Sequence, residues 1–166
     1  RESLILEFCP TMLSLILAGK VGSNIASEIG SMRITEQIDA LEIMGVNSAS
    51  FLILPKLFAA VLFFPILIIL GISIGIVGGW IGCQTAGITA ADYIYGIKYE
   101  FNSFYVTYCL IKTTVFAFII ATVSSYFGYH TKGGALEVGK ASTRAVVYSS
   151  IIILIFNFIL TDLLLA

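Results

Sequence analysis

Two charges in this sequence sit where charge is expensive. Glu7 precedes an uncharged stretch, Phe8 to Gly19, of only 12 residues that ends at Lys20. A bilayer takes about 20 residues to cross, so one of the flanking charges lies within the membrane. Along a helix Glu7 and Lys20 are about 20 Å apart. With Lys20 snorkelling to one interface, Glu7 falls inside the opposite leaflet. A lone carboxylate there costs about 2.5–3.5 kcal/mol on insertion scales, so it needs water or a partner. Lys112 precedes a second uncharged run, Thr113 to Thr131, and stands 20 residues before Lys132. That puts it about 30 Å from the Lys132 end, at a height similar to Glu7. The pair is expected to flank one cavity with apolar walls from Phe8 and Met12. The competing reading has Lys112 merely snorkelling to the outer interface.

The other chemistry-bearing patterns are weaker. Gly134 to Ala141 fits seven positions of the phosphate-binding G-x-x-x-x-G-K-[ST] loop, but Ala141 stands where the Mg²⁺-binding hydroxyl belongs and no buried strand precedes it. A glycine-rich turn is the better reading, with no ATP hydrolysis in this chain. His130 is the only histidine, which excludes a histidine metal cluster and leaves an interfacial residue at a helix end. Cys9, Cys83 and Cys109 are odd in number without C-x-x-C spacing, and read as small apolar fillers. No metal and no cofactor is expected.

These residues must be positioned by membrane helices. Only 11% of the 166 residues are charged and 58% are hydrophobic, against roughly 25% charged in a soluble domain. From Leu57 to Ala91 there is no formal charge at all. A soluble enzyme is excluded, and a net charge of −1 without a basic stripe excludes a nucleic-acid binder. The fold expected is all-α, a polytopic helical membrane protein with four spans at about 6–27, 51–82, 106–129 and 145–165. The start, Arg1 without Met, reads as a cut through a longer protein.

In the first span Glu7, Thr11, Ser14, Ala18 and Gly22 recur at helical spacing as a small, polar face, which should look into a bundle, while Leu13, Ile16 and Leu17 point elsewhere. A short amphipathic helix is expected over about 32–45, capped by Ser31 or Thr35 and stopped at Gly45. Its apolar stripe is Ile34, Ile38 and Leu41, with Glu36, Asp39 and Glu42 turned away. Acids disfavour an anionic membrane surface, which leaves a solvated connector or docking in a protein groove. Gly71, Gly75 and Gly79 have the G-x-x-x-G spacing of close helix contacts, and Pro65 should kink their helix. Residues 83–105, rich in Tyr and Phe, read as an interfacial segment. The 28–56 and 130–144 loops hold five Lys and Arg, the 83–105 loop only Lys98. The positive-inside rule therefore puts the amphipathic helix in the cytoplasm and the aromatic segment on the periplasmic side.

The block Glu28-Ile-Gly-Ser-Met-Arg-Ile-Thr35-Glu36-Gln37-Ile38-Asp39-Ala40-Leu41-Glu42-Ile-Met-Gly45 closely resembles the signature of MlaE-type permeases. The likeness extends over Ala18 to Gly22, Pro55-Lys56, Leu110 to Thr113, Gly133 through Val146, and Phe158 to Thr161, essentially the whole chain. Such permeases are membrane subunits of ABC transporters that work with MCE-domain proteins in lipid trafficking. The resemblance implies a permease homodimer with a cytoplasmic ABC ATPase and an MCE-domain substrate-binding partner. The segment with Thr35, Glu36, Gln37, Ile38, Asp39, Leu41 and Glu42 would be the coupling helix seated on the ATPase. Glu7, Phe8, Thr11, Met12 and Lys112 would be the lipid-binding set. The setting implied is a bacterial cytoplasmic (inner) membrane, or a plastid inner envelope derived from one. The family also has an interfacial helix and one more span before Glu7, an arginine commonly at the Leu6 position, and in some members an acid at Asn157. The alternative function is an ion-coupled secondary transporter or channel using Glu7 and Lys112, and a third is a membrane scaffold.

Overall fold

The computed structural model describes residues 2–85, 87, 89–99 and 102–165. Among them are six helices and no strand: α1 (Leu4–Ile34), α2 (Gln37–Ile43), α3 (Ser48–Thr85), α4 (Ala90–Lys98), α5 (Phe104–Tyr129) and α6 (Ala135–Leu165). α1, α3, α5 and α6 are long and apolar enough to cross a membrane. The chain is thus an all-α, polytopic membrane protein.

α5 occupies the centre, packed by α1, α3 and α6. Its inward residues are Tyr108, Lys112, Phe116, Ile120 and Ser124, all fully buried. Phe116, Ala117 and Ile120 meet Ala18 of α1, Phe64 of α3 and Ile153 of α6 in the main core. Outward faces stay apolar, as on α3 with Phe58, Leu62 and Ile74 and on α6 with Leu154 and Phe158. In lipid such exposure carries no penalty, so packing rather than water exclusion holds the bundle together.

The face predicted on α1 is the buried one: Thr11, Ser14, Ala18 and Gly22 all lie inside. Ile16 points out, whereas Leu17 packs against the main core and Leu13 against a second cluster, because α1 is covered on two sides. The winding of α1 is π-type over Leu4–Met12 and Ala18–Gly22. Pro10 lies in the first of these, where it has no N–H to give the Ile5 carbonyl five residues back.

The glycine triplet makes contacts, but of a different kind from the one expected. A methyl group on Gly71 would strike the side chain of Leu13, on Gly75 Leu4, and on Gly79 the Tyr93 hydroxyl. Side chains fill these notches, and two backbones do not meet there. The close backbone crossing is elsewhere: a Cβ on Gly128 of α5 would lie 2.8 Å from the Ala26 carbonyl oxygen and 3.2 Å from its Cα. Backbone cannot step aside as a leucine end can. Gly128→Ala is therefore expected to cost about 1–3 kcal/mol by overpacking, and Gly75→Ala clearly less. Thermal unfolding of both variants in detergent checks the order.

Pro55 and Pro65 lie inside an unbroken α3. Only 130–134 remain of the predicted 130–144 loop, since α6 starts at Ala135. Within the aromatic segment α4 is capped by Thr89, whose Oγ1 accepts from the Asp92 N–H. Tyr93 Oη donates to the Ile76 carbonyl at 2.7 Å and pins α4 to α3. Glu100 and Phe101 of that segment lie outside the described residues.

Candidate functional site

Glu7 and Lys112 do not stand across a cavity from one another. They touch: Lys112 Nζ donates to Glu7 Oε1 at 2.7 Å. The side chain of Lys112 is 0% exposed and that of Glu7 42% exposed. Lys112 is therefore no snorkelling interfacial lysine but the inner member of an ion pair whose outer member faces the surface. Its other protons reach Tyr108 Oη at 2.9 Å and Thr161 Oγ1 at 3.1 Å, which accounts for all three N–H donors. The Leu6 carbonyl lies 3.4 Å from the same Nζ.

The carboxylate is held at both oxygens. Thr161 Oγ1 lies 2.8 Å from Oε1, while Asn157 Nδ2 donates to Oε2 at 3.1 Å. Thr11 Oγ1 is 2.9 Å from Asn157 Oδ1 and 3.4 Å from Glu7 Oε2. Three helices thus contribute one i, i+4 pair each: Glu7 and Thr11 from α1, Tyr108 and Lys112 from α5, Asn157 and Thr161 from α6. One helical turn separates the members of each pair, so both project to the same side. Fixing a buried cation this way needs every donor satisfied, because an uncompensated charge in the interior is strongly destabilising.

Outside this cluster, Phe8 (63% exposed) and Met12 (50% exposed) face outward beside Glu7. With Leu4 and Thr11 they line an open recess of about 580 Å³. Its wall is largely apolar and its polar edge is the half-exposed carboxylate. Such a surface suits an amphiphile, which brings both a chain and a polar group. Of the five residues expected here, Glu7, Phe8, Thr11 and Met12 line the recess and Lys112 stands behind it. Tyr108, Asn157 and Thr161 complete the site beyond those five. Their i, i+4 spacing was the available signal.

At the other end the predicted helix over 32–45 is not one helix. α1 runs to Ile34, and Thr35 Oγ1 donates to the Ser31 carbonyl at 2.8 Å, closing that end instead of capping a new one. Glu36 then adopts a left-handed conformation at φ 59°, which breaks the chain direction before α2. Ile38 is 0% exposed and packs with Ile25, Ile29 and Leu52, with Leu41 against them. Ile38 and Leu41 of the apolar stripe are thus docked in this chain's own core, because the sharp turn at Glu36 folds α2 back, while Ile34 stays on α1. Nor are the acids all turned away. Asp39 accepts from Arg33 at 2.7 Å. Glu42 Oε1 accepts from Ser48 Oγ at 2.8 Å and Tyr129 Oη at 3.0 Å. Glu36 and Gln37 are exposed. The large apolar residues left most uncovered are Ile43, 87% exposed, and Met44, 68% exposed.

The hydrogen bonds from Ser48 and Tyr129 hold the Glu42 carboxyl below its ordinary value of 4.5. A carboxyl with a depressed folded-state pKa stabilises the docked state above its unfolded pKa, and loses that contribution as pH falls through the folded one. Docking of α2 is therefore expected to be pH-independent near neutrality and to loosen below about pH 4.5. Tyr129→Phe should loosen it at pH 7 as well. Amide hydrogen exchange over 37–46 at both pH values reads this out.

His130 is exposed and its Nδ1 lies 2.9 Å from the Tyr126 carbonyl, at the end of α5. The near P-loop is the start of α6, with Glu137 and Lys140 paired at 2.6 Å. Among the described residues no group of His, Cys, Asp and Glu could hold a metal.

Residues 1–163 match the family described as permease MlaE. A probable ABC transporter permease protein of Rickettsia bellii is 41% identical over 162 residues, 97% of this chain and 62% of the relative. The intermembrane phospholipid transport system permease protein MlaE of Haemophilus influenzae is 33% identical over 98% of this chain and 63% of its own length. The chloroplastic protein TRIGALACTOSYLDIACYLGLYCEROL 1 of Arabidopsis thaliana is 31% identical over 94% of this chain and 45% of its length. The chain thus spans about three fifths of the bacterial relatives it matches. On this match, which the signature block over Glu28 to Gly45 had pointed to, the chain belongs to the MlaE permease family.

Proposed function

We propose that this chain is the membrane core of a permease subunit in an ABC-type transporter that moves phospholipids or related lipids. It exchanges them between the cytoplasmic membrane and an MCE-domain partner, and a separate cytoplasmic ATPase drives the cycle. The observation that carries the reading is the Glu7 clamp beside an apolar recess: a fixed polar edge for a headgroup and Phe8 and Met12 for an acyl chain. The printed name of the Haemophilus relative, a phospholipid transport permease, supports the substrate class. Two copies form the working unit, each offering the exposed face of α1 with its recess to a shared cavity. The setting is a bacterial inner membrane, or the inner envelope of a plastid.

Hydrolysis belongs to the partner and not to this chain. The ATPase is met by α2, where Ile43 and Met44 at the C-terminal end supply apolar anchors and Glu36 at the N-terminal end a charge. Reconstitution of the full-length permease with its ATPase in vesicles holding fluorescent phospholipid tests the reading. Lipid movement that requires ATP supports it. Proton- or sodium-driven flux without ATP would establish the ion-coupled alternative instead.

A further inference from the structure

A second recess, of about 370 Å³, lies between the end of α5 and the start of α6. It is at the end that the Lys and Arg count assigns to the cytoplasm, some 30 Å from Glu7 by helix length. His130, Lys132 and Arg144 line it together with Tyr126 and Phe127. The acid in the same wall, Glu137, is taken by Lys140 at 2.6 Å. Neither Lys132 nor Arg144 has an ion pair within 4.0 Å among the described residues, although both are near that acid. Aromatic rings share the lining. Phe127 stacks on Tyr148 of α6 at 5.1 Å, and Tyr126 lies under the His130 ring at 4.4 Å. Two cations without an ion pair, sharing one recess with aromatic rings at a membrane–water boundary, form a site for a phosphate-bearing anion.

We propose that this recess binds such a phosphate between Lys132 and Arg144. An anionic phospholipid of the cytoplasmic leaflet and free phosphate share that chemistry. The rings of Tyr126 and Phe127 in the lining, which can take a glycerol or the first methylenes, favour the lipid. Lys132 sits in the short turn and Arg144 nearly three turns into α6, so an occupant would brace the α5–α6 connection against the bilayer surface. This inference does not rest on the transport reading, because it concerns the opposite end of the molecule from Glu7.

Native mass spectrometry of the full-length protein from micelles doped with phosphatidylglycerol, with phosphatidylcholine, or with inorganic phosphate alone tests it. Phosphatidylglycerol should be retained, and Lys132→Gln with Arg144→Gln should weaken it about thirtyfold, the worth of two cations near an anionic headgroup. The charge-keeping pair Lys132→Arg with Arg144→Lys should restore retention, which separates loss of the site from loss of the fold. Lys98→Gln, at the opposite end, should change nothing. Retention of inorganic phosphate, lost in the double glutamine variant, would assign the site to the free anion. Equal retention of phosphatidylglycerol and phosphatidylcholine, or equal retention by wild type and double glutamine variant of every probe, would overturn the proposal.

Discussion

Glu7→Ala is expected to destabilise the protein by about 3–5 kcal/mol, the cost of leaving one member of a buried ion pair without the other. The asymmetry of the pair makes this the severe change. Lys112 is fully buried and loses its only counter-charge when Glu7 goes, whereas Glu7 is partly exposed. Lys112→Met keeps the shape of the stem and leaves a carboxylate that still has Asn157 and Thr161 within 3.1 Å. It should therefore cost less than Glu7→Ala. The double variant should recover much of the loss, because it removes both charges together. Lipid transport should fall in all three variants, since the polar edge of the recess goes in two and its support in the third. Thermal unfolding in detergent across this double-mutant cycle measures the coupling. A cycle in which the two single losses simply add would show that the pair does not act as a unit.

The second large effect concerns association with the ATPase. Ile43→Asp with Met44→Asp should weaken binding of the ATPase subunit by more than about thirtyfold, as loss of an apolar anchor cluster does. The fold should survive, because neither side chain is covered within this chain. Leu41 is a poorer probe than its place in the signature suggests, since it packs against Ile38, Ile25 and Ile29 and its loss would disturb the fold itself. Glu36 can be tested without strain: Glu36→Gly removes the charge and suits the left-handed backbone at φ 59°. A pull-down with the purified ATPase and a melting curve on each variant separate the two causes. ATPase binding that is unchanged in the double aspartate variant would remove Ile43 and Met44 from that interface.

The spans and the buried face of α1 were legible in the sequence for physical reasons. Uncharged runs have one economical home, and a period of 3.6 sorts Thr11, Ser14, Ala18 and Gly22 to one side. Height along a helix follows from rise per residue, which is why Glu7 and Lys112 came out level. Contact between them did not follow, because the packing of α1 against α5 is a property of three helices and not of one. Asn157 and Thr161, separated from Glu7 by 150 residues or more, complete the clamp only in space. The stripe over Ile34 to Leu41 was visible, yet its partner was not. A single non-glycine residue at positive φ, Glu36, redirects it from an outside groove to the inside of this chain, and nothing in the residue type announces that conformation. Likewise the triplet at Gly71, Gly75 and Gly79 advertises a contact, while the backbone crossing belongs to Gly128, whose pattern is unremarked.

The central claim is that the recess beside Glu7 receives lipid during the ATP-driven cycle. The decisive test places a photo-crosslinking residue at Phe8 in the full-length permease, assembled with the proposed ATPase and MCE-domain partners in labelled phospholipid. The comparison is the same residue at Ile74, which lies on the outer face of α3 and is 71% exposed. The account predicts lipid labelling at Phe8 that changes with ATP turnover and is lost in Glu7→Ala with Lys112→Met, with labelling at Ile74 indifferent to both. Labelling at Phe8 that tracks Ile74 under every condition would contradict it, and would leave the recess as ordinary lipid-facing surface.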